Sequence, residues 1–149
     1  MGNCKSKKKA IIRTGDDNSL IITNVKPDYK KNLKHLICDD AYTNRLVLKK
    51  YLIMYGCEVD EAENGEDAIN KVKTNGEYQI IWMDIKMPKM DGFECTYQLR
   101  NTLAYTGRII GLTGYVDETT IKKCKDVGME HVIAKPFDKN TINDFVRSA

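Results

Sequence analysis

The sequence predicts an α/β fold in which five parallel strands form one sheet covered by helices on both faces. Three observations predict it. Short apolar runs recur along most of the chain, each too short for a helix and each cut off by an acidic, Gly or Pro residue. Each run is followed by a stretch whose apolar residues recur at helical spacing. Alternation of this kind requires crossover connections, which are right-handed and bury a parallel sheet on both sides.

In chain order, residues 33–38 are the first apolar run and stop at Asp39 and Asp40. Thr43 is the expected N-cap of a helix to about Tyr55, with Val47, Leu48, Tyr51, Leu52 and Tyr55 on its inner face and Gly56 as its stop. Residues 57–62 form a more polar strand, expected near a sheet edge. Asn64 and Gly65 open a helix with Ala68, Ile69 and Val72 inward. Residues 80–83 are apolar throughout, as a strand buried on both faces requires, and end at Asp84. Pro88 and the Asp91-Gly92 pair forbid further strand, and residues 92–101 form the third helix. Residues 108–112 are the fourth strand, followed by Thr113, Gly114 and Tyr115. A helix carrying Ile121, Cys124 and Val127 inward ends at Gly128. Residues 131–134 are the fifth strand, ending at Lys135-Pro136-Phe137, and Ile142, Phe145 and Val146 mark a last helix. Five such units form the flavodoxin-like doubly wound (βα)5 class.

Composition agrees with a globular body: 42% of the 149 residues are hydrophobic and 30% charged. No apolar run reaches membrane-spanning length, and there is no secretory h-region. The five cysteines are odd in number and scattered, without the paired spacing of a zinc site, which points to a reducing compartment with Cys38 as a small core residue. Five of the 24 basic residues, and none of the 21 acids, lie in the first 13 positions, so the rest of the chain is slightly acidic. That distribution speaks against a nucleic-acid partner, which needs a basic stripe on the body.

The expected division is a basic tail over 1–32 and a folded domain over 33–149. Within the tail, Gly2 after Met1 with Ser6 four positions on matches the N-myristoylation pattern. One myristoyl chain binds membranes only marginally. Cys4, as a palmitoylation site, and Lys5, Lys7, Lys8 and Lys9, attracted to an anionic leaflet, would supply the second signal. The competing reading is a solvated basic tail. Residues 10–13 and 19–23 flank a polar loop and look like a small hairpin, with 24–32 as a linker.

Ligands bind beyond the carboxyl ends of strands in an open α/β sheet. Those ends carry Asp39 and Asp40, Asp84, Thr113 and Lys135. Taken singly, each has a bland reading: an acid as helix cap, a Thr as turn residue, a Lys in solvent. Gathered at one edge, three carboxylates repel and call for a cation. Mg²⁺ suits a few carboxylates while keeping room for a phosphate oxygen, and Lys135 and Thr113 read as donors to phosphoryl oxygens.

Asp39-Asp40, the stretch from Met83 to Gly92 with Met87-Pro88 and Asp91-Gly92, Leu112-Thr113-Gly114 and Lys135-Pro136-Phe137 together resemble the response-regulator receiver domain, most closely the receivers attached to hybrid sensor histidine kinases. The resemblance spans about residues 33–149. It implies that Asp84 accepts a phosphoryl group from phosphohistidine, giving a 4-aspartylphosphate. It also implies that Asp40 and Asp84 bind Mg²⁺ directly, Asp39 largely through water, and the Lys86 backbone carbonyl completes the protein ligands. Thr113 and Lys135 contact the phosphoryl group, and Pro136 follows a cis peptide. The chain would catalyse its own phosphorylation and dephosphorylation while serving mainly in signalling. Its partners would be a sensor histidine kinase or a histidine phosphotransfer protein. The expected location is the cytoplasm, or the cytoplasmic face of a membrane, of a eukaryotic cell or a virus of one. With no segment after the last helix, the expectation is a stand-alone, single-domain regulator.

Val132 stands where the family usually has Tyr or Phe, Gly114 where it usually has Ala, and Lys86 and Tyr115 at the two variable positions that screen an acyl phosphate from water. Their bulk suggests a long-lived phosphoryl state. The alternative function is a pseudo-receiver that keeps the fold but is not controlled by phosphorylation. A haloacid-dehalogenase-type phosphatase needs a second acid two residues after the nucleophile, where this chain has Lys86.

Overall fold

The computed structural model describes residues 10–12, 21–23 and 33–148. The chain divides into two units, 1–30 and 31–149. In the first, β1 (Ala10–Ile12) pairs antiparallel with β2 (Ile21–Thr23), Ile11 opposite Ile22. Gly2, Cys4 and the linker 24–32 lie outside the described residues.

The second unit runs β3 (Lys34–Cys38), α1 (Tyr42–Met54), β4 (Glu58–Ala62), α2 (Gly65–Asn75), β5 (Ile80–Asp84), α3 (Gly92–Asn101), β6 (Arg108–Thr113), α4 (Glu118–Val127), β7 (His131–Ala134) and α5 (Lys139–Arg147). The sheet order is β4-β3-β5-β6-β7, and every neighbouring pair is parallel. The polar strand β4 is an edge, as expected. In central β5, Ile81 and Met83 join a core layer with Ala68, Cys95, Leu99 and Cys124 from α2, α3 and α4. Ile80 and Trp82 join the opposite layer, with Leu48, Leu52, Ile142 and Val146 from α1 and α5. This two-sided burial is why residues 80–83 show no polar alternation.

Caps set the helix starts. Asn64, Asp91, Asp117 and Asp138 each accept a hydrogen bond from a backbone N–H three residues on. Helix α1 departs from expectation. It begins at Tyr42 behind Ala41, so Thr43 lies inside the helix and is not its cap. Two residues expected inward, Val47 and Ile121, are 44% and 36% exposed. Both fit the helical stripe by spacing, but neither belongs to either core layer of the sheet.

One polar pair interrupts the layer under α1 and α5. His35 on β3 is fully buried, and its Nδ1 accepts the Trp82 Nε1–H at 3.1 Å, so Nε2 carries the ring proton. Burial, reinforced by the Arg108 charge, lowers the His35 pKa from 6.5 to about 4. The unfolded chain therefore takes up this proton first as pH falls. The contribution of the neutral ring is complete above pH 6.5 and is lost between 6.5 and about 4. The whole loss is roughly 3 kcal/mol. Urea unfolding of the wild type and of His35→Asn across that window should show the steeper loss in the wild type; parallel curves would refute the assignment.

Candidate functional site

Two strands deliver three acids to one edge of the sheet. Asp39 directly follows β3, Asp40 comes next, and Asp84 is the last residue of β5. Their carboxylates each offer an oxygen within 4.8 Å of the others, with Asp39 and Asp84 buried and Asp40 exposed. Asp84 does not cap a helix. That task falls to Asp91, whose carboxylate accepts the Glu94 N–H at 2.8 Å. Gly92 is required beside it, because a Cβ there would collide with the Asp84 backbone carbonyl.

Lys135 enters the same pocket from the end of β7, anchored by its own N–H donating to the Thr113 carbonyl at 2.7 Å. Its ammonium bridges the buried acids, 2.7 Å from Asp39 Oδ2 and 3.0 Å from Asp84 Oδ1. The Lys135-Pro136 peptide is cis. Burial raises the Asp84 pKa; Lys135 opposes this, while the Asp39 and Asp40 charges add to it. Burial alone would lower the Lys135 pKa, but its hydrogen bonds to Asp39 and Asp84 outweigh that and raise it. The pocket thus keeps its cation and disfavours the charge on Asp84.

Thr113 ends β6 and is buried, but its hydroxyl is engaged within its own loop: it donates to the Tyr115 carbonyl at 3.1 Å and accepts the Tyr115 N–H at 3.3 Å. Lys86 sits two residues past Asp84, the last residue of β5, in the loop toward α3, with its side chain in solvent. A Cβ at Gly114 would meet nothing within 4 Å, so no neighbour excludes the usual Ala there. Val132 is half-buried and packs on the core layer beneath α4.

Two residues that motif reasoning passed over also reach Asp39. Asn44 Nδ2 lies 3.3 and 3.2 Å from its two carboxylate oxygens. Buried Arg45 donates from Nη1 to the Asp39 backbone carbonyl at 2.9 Å. Both stand in the first turn of α1, and only folding shows that this turn lies over the acids.

Three carboxylates at this spacing fit a hard divalent cation with oxygen ligands. Fold and pocket together define a doubly wound α/β domain with an acidic, lysine-bridged pocket at the carboxyl edge of its sheet. The chain belongs to the response regulator receiver domain family, whose pattern residues 36–147 match. It is 38% identical over 125 residues to the osmosensing histidine protein kinase SLN1 of Saccharomyces cerevisiae, and that alignment covers 79% of this chain and 10% of the kinase. It is 40% identical over 107 residues to the sensor protein EvgS of Escherichia coli, covering 72% of this chain and 9% of that protein. The chain therefore spans about a tenth of the length of these relatives. Chemotaxis protein CheY4 of Vibrio cholerae superposes with a TM-score of 0.74 at 28% identity, covering 78% of this chain and 98% of that one. The CheX-CheY-BeF3-Mg2+ complex of Borrelia burgdorferi gives a TM-score of 0.73 at 30% identity, covering 78% and 87%.

Proposed function

We propose that this chain accepts a phosphoryl group from a partner's phosphohistidine onto Asp84 in a two-component phosphorelay. The observation that carries this is the Lys135 ammonium held between the buried carboxylates of Asp39 and Asp84 at the sheet's carboxyl edge. An Asp84 carboxylate oxygen attacks phosphorus, the P–N bond to the donor imidazole breaks with its electron pair going to nitrogen, and Asp84 becomes the 4-aspartylphosphate. Lys135 and the Thr113 hydroxyl donate to the phosphoryl oxygens. For Thr113 this means exchanging its Tyr115 contacts for the new acceptor. Asp40, Asp84 and the Lys86 carbonyl, with Asp39 acting largely through water, would hold Mg²⁺, which would neutralise charge on the acids and on the phosphoryl group. Catalysis is positioning and charge neutralisation. The donor is a sensor histidine kinase or a histidine phosphotransfer protein.

Acetyl phosphate with Mg²⁺, read by intact mass, tests the reading. The expected result is a gain of one phosphoryl group, lost on chelation. No gain at any Mg²⁺ concentration would favour a pseudo-receiver, a reading to which the missing aromatic at Val132 lends some weight.

Residues 33–149 are the phosphoacceptor domain in this reading and 1–32 a tail. Acylation at Gly2, with Cys4 and the lysines as the second signal, would place the domain at the cytoplasmic face of a membrane; this rests on the sequence pattern. No helix among the described residues is long and apolar enough to cross a membrane. Labelled myristate should enter the wild type and not Gly2→Ala, and equal labelling of the two would refute acylation.

A further inference from the structure

Both oxygens of the Asp39 carboxylate are engaged before any cation arrives. Oδ1 accepts the Ala41 N–H at 2.9 Å and Asn44 Nδ2 at 3.3 Å. Oδ2 accepts Asn44 Nδ2 at 3.2 Å and Lys135 Nζ at 2.7 Å. A carboxylate offers about four lone-pair sites, two on each oxygen, and here three nitrogens contact it, with Asn44 Nδ2 shared between both oxygens. Asp39 is 1% exposed and has no room to turn another edge outward, whereas Asp40 is exposed.

The backbone beneath is gripped from the same turn of α1. Arg45 holds the Asp39 carbonyl, and its remaining edges face Glu61 and Glu63, with Nε 3.4 Å from Glu61 Oε1 and Nη2 3.6 Å from Glu63 Oε1. Lys49 completes the set with a 2.6 Å bond to Glu61 Oε2. Neither the Asp39 main chain nor its carboxylate is free to swing into the pocket.

We propose that Asn44 is a positioning residue that sets the ion preference of the pocket. By occupying both oxygens of Asp39 it withholds this acid from direct ligation and leaves a ligand set too small for a larger cation. The proposal rests on reading the pocket as a Mg²⁺ site. Mg²⁺ needs few protein ligands in near-octahedral geometry, whereas Ca²⁺ takes six to eight oxygens in flexible geometry and would gain from a third carboxylate released to bind. The competing explanation is that Asn44 only stabilises the start of α1, and in that case its loss would weaken both ions alike.

The test is calorimetric titration of the unphosphorylated full chain with Mg²⁺ and, separately, Ca²⁺, for the wild type, Asn44→Ala, Asn44→Ser and Lys50→Ala. Removing the carboxamide should weaken Mg²⁺ by about tenfold, as loss of outer-shell partners typically does. Ca²⁺ binding should hold or tighten, and Asn44→Ser, which keeps one donor, should fall between. Lys50→Ala, exposed on the same helix and outside the network that holds Asp39, should leave the ratio of the two affinities unchanged. A ratio that moves by less than threefold in Asn44→Ala, or as far in Lys50→Ala as in Asn44→Ala, overturns the proposal. Should Asn44→Ala fail to fold, the same threshold applies to Asn44→Ser. A wild type that Mg²⁺ does not saturate overturns the metal reading, and this inference with it.

Discussion

Asp84→Asn is expected to abolish phosphoryl incorporation from acetyl phosphate and, in the metal-free protein, to make the fold more stable. The first effect removes the attacking oxygen. The second follows from the pocket's electrostatics. Burial, with Asp39 and Asp40 nearby, holds the Asp84 pKa above its ordinary 3.8 despite Lys135. The folded state thus keeps the proton to higher pH than the unfolded chain. Ionised Asp84 therefore costs stability, a cost that appears as pH rises from 3.8 through the raised value and is complete above it. The neutral, near-isosteric Asn avoids it. A gain of about 1 kcal/mol at neutral pH is expected, in the usual range for relieving a functionally strained site. It should vanish in acid, where the wild-type carboxyl is also neutral. Saturating Mg²⁺ should narrow the gap from the other side by stabilising the wild type more. Urea unfolding at neutral and acid pH, with and without Mg²⁺, checks each part. A variant less stable than the metal-free wild type at neutral pH would contradict this account of the pocket.

Arg100→Ala is expected to destabilise the domain by roughly 3 kcal/mol, since hydrogen bonds from a charged donor contribute about 1.5–3 kcal/mol each and their loss strands carbonyls. Arg100, near the end of α3, donates from Nε and Nη2 to the Gly128 carbonyl at 3.0 and 2.8 Å, and from Nη1 to the Tyr105 and Gly107 carbonyls at 2.6 and 2.7 Å. One side chain thus closes the end of α4 and the entry to β6. Burial lowers its pKa, yet guanidinium remains charged at any working pH. Arg100→Lys should recover little, because a single ammonium cannot reach three carbonyls in this fork. Chemical unfolding measures the loss. Mg²⁺ affinity should not change, because the clamp lies at the opposite edge of the sheet from the acids. A loss below 1 kcal/mol would show that water replaces these bonds readily.

Much of the architecture was legible because the signals were local. A central parallel strand must be apolar on both faces, so residues 80–83 declared themselves. Asn64 marks a helix start through its side-chain cap, and Gly128 a helix end through its left-handed backbone. Local signals failed where coverage by a neighbour decides the outcome. Val47 and Ile121 fit their helical stripes, but a stripe does not reveal how wide the sheet beneath it is. Thr43 had the right chemistry for a cap, yet Asp39 and Ala41 had already turned the chain, and α1 began before it.

The sequence by itself determined the order of strands and helices and the residues standing at the strand ends, because these depend on periodicity and on the turn chemistry between elements. Tertiary structure alone decided what those ends do to one another. Asp39 and Lys135 are 96 positions apart, and only parallel pairing through β3, β5, β6 and β7 brings them to 2.7 Å. The same holds for Asn44 and Arg45, ordinary helical residues until α1 packs over the acids, and for Arg100, whose three carbonyl partners meet only when α3, α4 and β6 are in place. Periodicity is a property of neighbours along the chain; hydrogen-bond saturation and desolvation belong to neighbours in space.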